Sequence, residues 1–317
     1  MELTVTYAVL LFAAGLLLVL FFSEKLVEST VGTSLNFGIS AFLVSVIFIG
    51  FDPENLAVGA VASVEKMNGI ATGTIFGSAM VAIALALGIT ALIVPLRFDE
   101  VPGSILAIPV ISTALLGVLC LDGELGRVDG ILLLAAYAGA VGFLLYLSGN
   151  GADVRPSGEL RKSLEEAEQM SGWQSAGWLL VSLAAIYAGS EMLLTGTGFL
   201  IGYWQLSETV TGMTVLALVI SMEELARELP AALKGRPEIA YGNVVGSILA
   251  FFLFNAGCIA LLGPVTVDQS VTTFYLPICI GTVLFLAAVM SKNTIPRWAG
   301  ALLFAIYLLF FIRGFYG

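Results

Sequence analysis

The chain has 317 residues, of which 59% are hydrophobic and only 11% are charged, and its formal net charge at pH 7 is −10. A soluble domain carries about 25% charged residues, so the composition argues against a soluble protein. The acidic balance argues against nucleic acid as a partner, because phosphate binding needs a basic face. The chain contains no histidine, which excludes histidine metal ligands and Ser-His catalytic arrangements. These properties predict an integral membrane protein whose main partner is the lipid bilayer.

Ten apolar stretches, each long enough to cross a bilayer as a helix, follow one another along the chain. They cover residues 5–29, 36–64, 69–95, 102–121, 129–148, 174–197, 208–233, 239–264, 270–291 and 295–314. A polar and charged segment, 151–173, separates five spans in residues 1–150 from five spans in residues 174–317, and we interpret it as a cytoplasmic linker. The sequence therefore predicts an all-α polytopic membrane protein with about ten transmembrane helices.

Basic residues are distributed unequally between the two sets of loops. The loops after the first, third, fifth, seventh and ninth spans contain Lys25, Arg97, Arg155, Arg161, Lys162, Lys234, Arg236, Lys292 and Arg297. The opposite face contains only Lys66, Arg127 and Arg313. Because cytoplasmic loops carry an excess of Lys and Arg, this distribution predicts a protein of the cell membrane with extracellular N and C termini.

An internal repeat relates the two halves of the chain. Glu54–Gly88 aligns without a gap to Glu223–Gly257 and is identical at ten of 35 positions. The identical pairs include Glu54/Glu223, Gly73/Gly242, Gly77/Gly246, Ser78/Ser247 and Gly88/Gly257. Because each half has an odd number of spans, the second copy enters the membrane upside down. Two inverted five-helix repeats with an ion site at their interface are typical of secondary transporters.

Acidic clusters interrupt the second and the seventh span at matching positions. A charge in the bilayer centre costs on the order of several kcal/mol unless it faces protein or water, so both clusters indicate a functional site. Pro53 disfavours helical geometry in the residue before it, and we expect broken helices in both spans. The candidate ion ligands here are Asp52, Glu54, Asn55, Glu223, Glu224 and Glu228. Hard cations such as Ca²⁺ prefer carboxylate and carbonyl oxygens of this kind.

Small and polar residues recur in the span that follows each acidic cluster. Glycines four residues apart allow close helix packing, and this role is predicted for Gly73, Gly77, Gly242 and Gly246. Ser78 and Ser247 suit either packing or ion contact, and both interpretations stay open at this point.

Arg227 is an unusual residue for the middle of an apolar span. It lies four residues after Glu223 and three after Glu224, so either carboxylate could pair with it on a helix. We interpret Arg227 as an internal counter-ion that lowers the number of cations the site can hold. The alternative is that its side chain snorkels from a helix end to the membrane interface.

These segments resemble the α-repeats of the cation/calcium antiporter superfamily, the Na⁺/Ca²⁺ and H⁺/Ca²⁺ exchangers. That family shows Gly-Thr-Ser-x-Pro-Glu-Leu followed by Gly-Asn-x-x-Gly-Ser-Asn. The second repeat is similar through Ser221, Glu224-Leu225 and 242–247, and the first through Pro53-Glu54, or with Asn55 at the glutamate position. The resemblance implies one central Ca²⁺ site between the repeats, with the metal held by Glu54 and Glu224, and no covalent cofactor.

The motif departs from the family where hydroxyl and amide groups are expected. The Thr-Ser pair becomes Phe51-Asp52 in one repeat and Ile220-Ser221 in the other, and the final Asn becomes Ala79 and Ile248. In the family these groups help to coordinate Na⁺. The additional carboxylates could instead bind and release protons, so H⁺ is favoured as the coupling ion while Na⁺ stays open.

We therefore expect a secondary active antiporter that exchanges Ca²⁺ or a related divalent cation for H⁺ or Na⁺ by alternating access. The alternative is an intramembrane metal-dependent enzyme that uses the same acidic clusters. Glu223-Glu224 with Arg227 resembles the Glu-Glu motif of membrane prenyl proteases, but those proteins also need histidines.

Overall fold

The computed structural model describes residues 4–36, 52–98, 103–149, 172–235 and 237–316, and these residues are mainly helical. The helices are α1 (Val5–Asn36), α2 (Pro53–Val64), α3 (Asn68–Ile93), α4 (Gly103–Leu119), α5 (Arg127–Gly149), α6 (Gly172–Trp204), α7 (Glu208–Ile220), α8 (Met222–Leu233), α9 (237–262), α10 (Val271–Met290) and α11 (Arg297–Tyr316). Four two-residue strands are β1 (Leu96–Arg97), β2 (Glu124–Leu125), β3 (Val265–Thr266) and β4 (Thr294–Ile295).

Within the described residues, six helices are long and apolar enough to cross a membrane, namely α1, α3, α5, α6, α10 and the segment Gly242–Leu262 of α9. The pair α7 and α8 becomes a seventh span if it is counted as one helix bent by 45°. The prediction of a polytopic membrane protein is confirmed in its coarser form, since the described residues are mainly helical. The number ten stays a prediction, partly because residues 37–51 of the second predicted span lie outside the described residues.

The break between α7 and α8 has a local cause at Ser221. Its backbone angles, φ −97° and ψ 17°, leave the helical region, and α8 restarts at Met222. In the first half, α2 begins at the corresponding point, where Pro53 occupies the first turn and Asp52 caps the helix by accepting a hydrogen bond from the Asn55 N–H. The predicted break in the seventh span is therefore present. Whatever precedes Asp52 lies outside the described residues.

Helices α2 and α8 begin and end at equivalent positions in the ungapped alignment of the two halves. Helices α2 and α8 each contain 12 residues. Each half also contains a six-residue π-helical segment, Val81–Ala86 in α3 and Ala250–Asn255 in α9, followed by a seven-residue α-helical segment. Because π-helical turns are rare and favour functional sites, their recurrence indicates that both halves build the same local structure.

Glycines allow close helix crossings that join one half of the chain to the other. A Cβ atom at Gly88 of α3 would lie 2.9 Å from the backbone of α11, and one at Gly257 of α9 would lie 3.1 Å from the Gly130 carbonyl of α5. The long helices α1 and α6 pack antiparallel, with a Cβ at Gly15 only 2.5 Å from the Gly189 carbonyl. These three crossings therefore pack one half of the chain directly against the other.

The short strands also connect the two halves. Strand β1 pairs with β4 and β2 pairs with β3, both antiparallel. Strands β1 and β3 each follow the helix that contains a six-residue π-helical segment, whereas β2 and β4 each follow the next helix along the chain. In each strand pair, the loop after the π-containing helix of one half contacts the loop after the next helix of the other half.

Candidate ion-binding site

Most of the predicted acidic residues lie at the starts of α2 and α8, and Glu228 lies one turn further along α8. Helices α3 and α9 lie beside them. Asp52, Glu54, Glu224 and Glu228 are buried, with at most 4% of each residue exposed. Carboxylates in the first turn of a helix are stabilised by the positive end of the helix dipole. The two helix starts therefore place negative charge in the interior of the molecule, as the sequence predicts.

Asp52, Glu54 and Glu223 form the tri-carboxylate group. One oxygen from each of these side chains lies within 4.8 Å of one oxygen from each of the others. The Oε2 atom of Glu54 is buried and has no hydrogen-bond partner within the described part of the chain. Carboxylates this close repel one another, so a cation between them would stabilise the group. Three converging carboxylates are suitable ligands for a hard divalent cation.

Glu224 belongs to a second arrangement, which we call the Glu224–Glu228 group. The amide nitrogen of Asn243 donates to Glu224 Oε2 at 2.6 Å and to Glu228 Oε1 at 3.0 Å. The hydroxyl of Ser247 donates to Glu224 Oε1 at 3.4 Å. Two buried carboxylates, an amide and a hydroxyl from α8 and α9 thus face a common point.

Arg227 lies between these two groups. Its Nη2 atom is 2.5 Å from Glu223 Oε1, and its Nη1 atom is 4.0 Å from Glu224 Oε1. Only 20% of the Arg227 side chain is exposed. Arg227 is thus paired with carboxylates of the site, and its role as an internal counter-ion stays a prediction.

Asn55 links the start of α2 to the break between α7 and α8 through a hydrogen-bond network. Its amide nitrogen donates at 2.9 Å both to Asp52 Oδ2 and to the hydroxyl of Ser221, the residue at the break before α8. Its carbonyl oxygen accepts from the Ser78 hydroxyl at 2.5 Å. Because the Asn55 amide is fully occupied by protein groups here, its predicted contact with an ion, like that of Ser78, stays a prediction.

The single Glu54–Glu224 site stays a prediction, and the described contacts put these two residues in different groups. Glu54 groups with Asp52 and Glu223, whereas Glu224 groups with Ser247 and Glu228. Sequence reasoning did not assign a ligand role to Asn243 or Ser221. Asn243 had a usable signal, since it lies within the repeated glycine motif four residues before Ser247.

The predicted packing glycines of α3 lie at the crossing with α7. A Cβ at Gly73 would lie 2.3 Å from the backbone carbonyl carbon of Gly212, and one at Gly77 would lie 2.6 Å from the Met213 carbonyl oxygen. No described atom lies within 4 Å of a Cβ at Gly242, and Gly246 is buried. The α9 glycines therefore stay predictions, because residues 37–51, the repeat equivalent of the α7 segment, lie outside the described residues.

Comparison with known proteins shows similarity to sodium/calcium exchangers in both sequence and structure. A family model described as sodium/calcium exchanger protein matches residues 7–146 and 174–315. The inner membrane protein YrbG of Escherichia coli is 29% identical over 265 residues, covering 82% of each chain. The sodium/calcium exchanger MaX1 of Methanosarcina acetivorans is 26% identical and covers 99% of each chain. A solved structure of the exchanger NCX_Mj is 24% identical, with a TM-score of 0.60 over 95% of this chain and 96% of that one.

Proposed function

Because this chain belongs to the sodium/calcium exchanger protein family, and is therefore a membrane transporter rather than an enzyme, we propose that it exchanges Ca²⁺ or a related divalent cation for H⁺ or Na⁺. The observation that carries the proposal is the convergence of oxygens from Asp52, Glu54 and Glu223 within 4.8 Å of one another, with Asp52 and Glu54 buried and Glu223 partly exposed. The similar chain MaX1 is named a sodium/calcium exchanger, which supports Ca²⁺ as the cargo.

The tri-carboxylate group is our proposed divalent-cation site, with Glu224 next to it. A divalent cation would stabilise three carboxylates that otherwise repel one another, and the unpartnered Glu54 Oε2 is suitable as a ligand atom. Arg227 contributes a fixed positive charge that competes for Glu223. The site therefore binds and releases its cargo without needing to bind it very tightly.

We further propose that residues 1–150 and 174–317 are two inverted five-helix repeats and that 151–173 is a cytoplasmic linker. The equal bounds of α2 and α8, the matching π-helical segments and the reciprocal strand pairs support this assignment. Two such halves can rock about a site at their interface and expose it to each side of the membrane in turn. The distribution of basic residues orients this arrangement with both termini outside the cell.

The direct test is Ca²⁺ uptake into sealed proteoliposomes, driven in one series by a Na⁺ gradient and in another by a pH gradient. We expect uptake in at least one series and its loss in Glu54→Gln and in Glu224→Gln, because each change removes a buried negative charge. Glu65→Gln is the matched control, since it removes an exposed carboxylate at the end of α2. Full uptake by both site variants would contradict the proposed site, and no uptake by the unaltered protein would contradict the function.

A further inference from the structure

Asn255 of α9 has a completely buried side-chain amide without a hydrogen-bond partner. The residue has no exposed surface, and neither Oδ1 nor Nδ2 has a partner among the residues that the structure describes. An asparagine in an apolar transmembrane helix ordinarily forms a hydrogen bond to a neighbouring helix. A buried amide without such a bond is costly, so a bound ligand would offset a cost that the described residues leave unmet.

The register between α2 and α9 shows where this amide lies. The Ser63 hydroxyl donates to the Ile259 carbonyl at 3.3 Å. A Cβ at Gly59 would lie 2.5 Å from Ile259 Cδ1, and one at Gly263 would lie 2.8 Å from the Ser63 carbonyl oxygen. The contacts advance by one helical turn on both helices, so α2 and α9 run side by side in the same direction.

One turn before these contacts, Asn255 comes level with Asn55 in the first turn of α2. Asn55 lies four residues before Gly59, and Asn255 lies four residues before Ile259. Residues four apart share a helix face, and helical side chains tilt toward the helix N-terminus. The Asn255 amide is therefore directed toward the start of α2, which contacts the π-helical segment that ends at Asn255.

The start of α2 contains a second buried group without a partner. Glu54 Oε2, an oxygen of the tri-carboxylate group, accepts no hydrogen bond from the described residues. The Asn55 amide is already occupied by three protein groups. A free amide on α9 and a free carboxylate oxygen on α2 thus lie at the same level in the molecule.

We propose that Asn255 supplies a neutral oxygen ligand to the divalent cation of the tri-carboxylate group and thereby favours Ca²⁺ over Mg²⁺. This inference rests on the proposed function, because it adds a ligand to the same site. Ca²⁺ takes about six to eight oxygen ligands, carbonyl oxygens among them, whereas Mg²⁺ needs octahedral geometry and retains several waters. A neutral oxygen raises the number of ligands without adding charge, which benefits the larger ion.

This ligand is specific to the second half of the chain. In the ungapped repeat, Asn255 corresponds to Ala86, which has no ligand atom in its side chain. It also lies seven residues beyond Ile248, where the segment that resembles the antiporter motif ends. Asn255 is therefore an addition to the site and not a product of the repeat.

The test measures ⁴⁵Ca²⁺ binding to the purified full-length protein in detergent, alone and in competition with Mg²⁺. We expect Asn255→Leu to bind ⁴⁵Ca²⁺ about tenfold more weakly, because one oxygen ligand is lost. A smaller excess of Mg²⁺ should then displace half of the bound Ca²⁺. Asn255→Asp retains an oxygen and should retain ⁴⁵Ca²⁺ binding. Ser182→Ala is the matched control, since it removes a buried hydroxyl of α6 that also has no partner among the described residues.

The melting temperature without Ca²⁺ distinguishes a ligand from a structural amide. Replacing an unpartnered buried amide with an apolar side chain leaves no polar group unsatisfied, so Asn255→Leu should melt no lower than the unaltered protein. Added Ca²⁺ should raise the melting temperature less in this variant, because stabilisation by a ligand follows its affinity. A lower melting temperature without Ca²⁺, together with unchanged ⁴⁵Ca²⁺ binding, would assign the amide a structural role and overturn the proposal.

The remaining outcomes separate this inference from the proposed function. Unchanged ⁴⁵Ca²⁺ binding in Asn255→Leu, or equal loss in Asn255→Leu and Asn255→Asp, overturns the ligand role and leaves Ca²⁺ exchange intact. Weaker binding with an unchanged preference over Mg²⁺ overturns the selectivity. No ⁴⁵Ca²⁺ binding by the unaltered protein contradicts the proposed function and this inference with it. If Asn255→Leu elutes as an aggregate on size exclusion, Asn255→Ala replaces it and is judged by the same outcomes.

Discussion

At the scale of single residues, the acidic composition of the site was readable from the sequence, but its division into two groups was not. The sequence places Glu54 and Glu224 in equivalent segments, and both are buried at the start of a helix. Which carboxylates meet depends on side-chain directions at two helix starts. At one position of the repeat the first half has Asn55 and the second half has Glu224, so the two halves contribute different groups there. The alignment left the Asn55 position open because both Glu54 and Asn55 fit the family motif.

The hydrogen-bond network around Asn55 predicts that the Ser78 hydroxyl stabilises the folded protein. The Ser78 hydroxyl donates to Asn55 from another helix, so Ser78→Ala leaves a buried carbonyl oxygen without a partner. An unsatisfied buried polar group costs about 1–3 kcal/mol. We expect a lower melting temperature in detergent than for the matched control, Ser112→Ala, whose hydroxyl bonds only to its own helix at Ile108. Equal melting temperatures of the two variants would show that the network adds no stability.

At the scale of elements, the apolar spans and the acidic cluster at 221–228 were sufficient to predict where helices form and that the seventh span is broken. Pro53 lies in the first turn of α2, and the break predicted before it falls on residues outside those that the structure describes. The bend of 45° between α7 and α8 could be located but not measured from the sequence. The π-helical segments could not be predicted, because they depend on packing between helices rather than on local residue preference.

The close crossing of α3 and α7 at Gly73 leads to a testable prediction. At Gly73 the nearest atoms to an added Cβ are backbone atoms of α7, so the two helices must separate to accommodate Gly73→Ala. Overpacking of this kind costs about 1–3 kcal/mol. We expect Gly73→Ala to lower both the melting temperature and the rate of Ca²⁺ uptake. Gly139→Ala in α5 is the control, since a Cβ there meets no described atom within 4 Å. Equal behaviour of the two variants would contradict a tight crossing.

At the scale of the whole molecule, the strand pairs constrain which loops share a side of the membrane. Strands β1 and β4 bring the loop after α3 next to the loop after α10, and β2 and β3 bring the loop after α4 next to the loop after α9. In the ten-span arrangement, the first two loops lie on the cytoplasmic side and the other two lie outside. The contacts and the distribution of basic residues, two independent observations, therefore support the same assignment of loops.

This sidedness is testable with cysteine labelling. In a background in which the three native cysteines, Cys120, Cys258 and Cys279, are replaced, single cysteines are introduced as Lys292→Cys and Asp122→Cys, both at exposed positions. A membrane-impermeant maleimide should label Asp122→Cys on intact cells and Lys292→Cys only in inverted vesicles, because the positive-inside rule places Lys292 in the cytoplasm. The opposite pattern would reverse the orientation and leave the repeat intact. Labelling of both from one side would contradict the ten-span arrangement, since an odd number of crossings must separate the two loops.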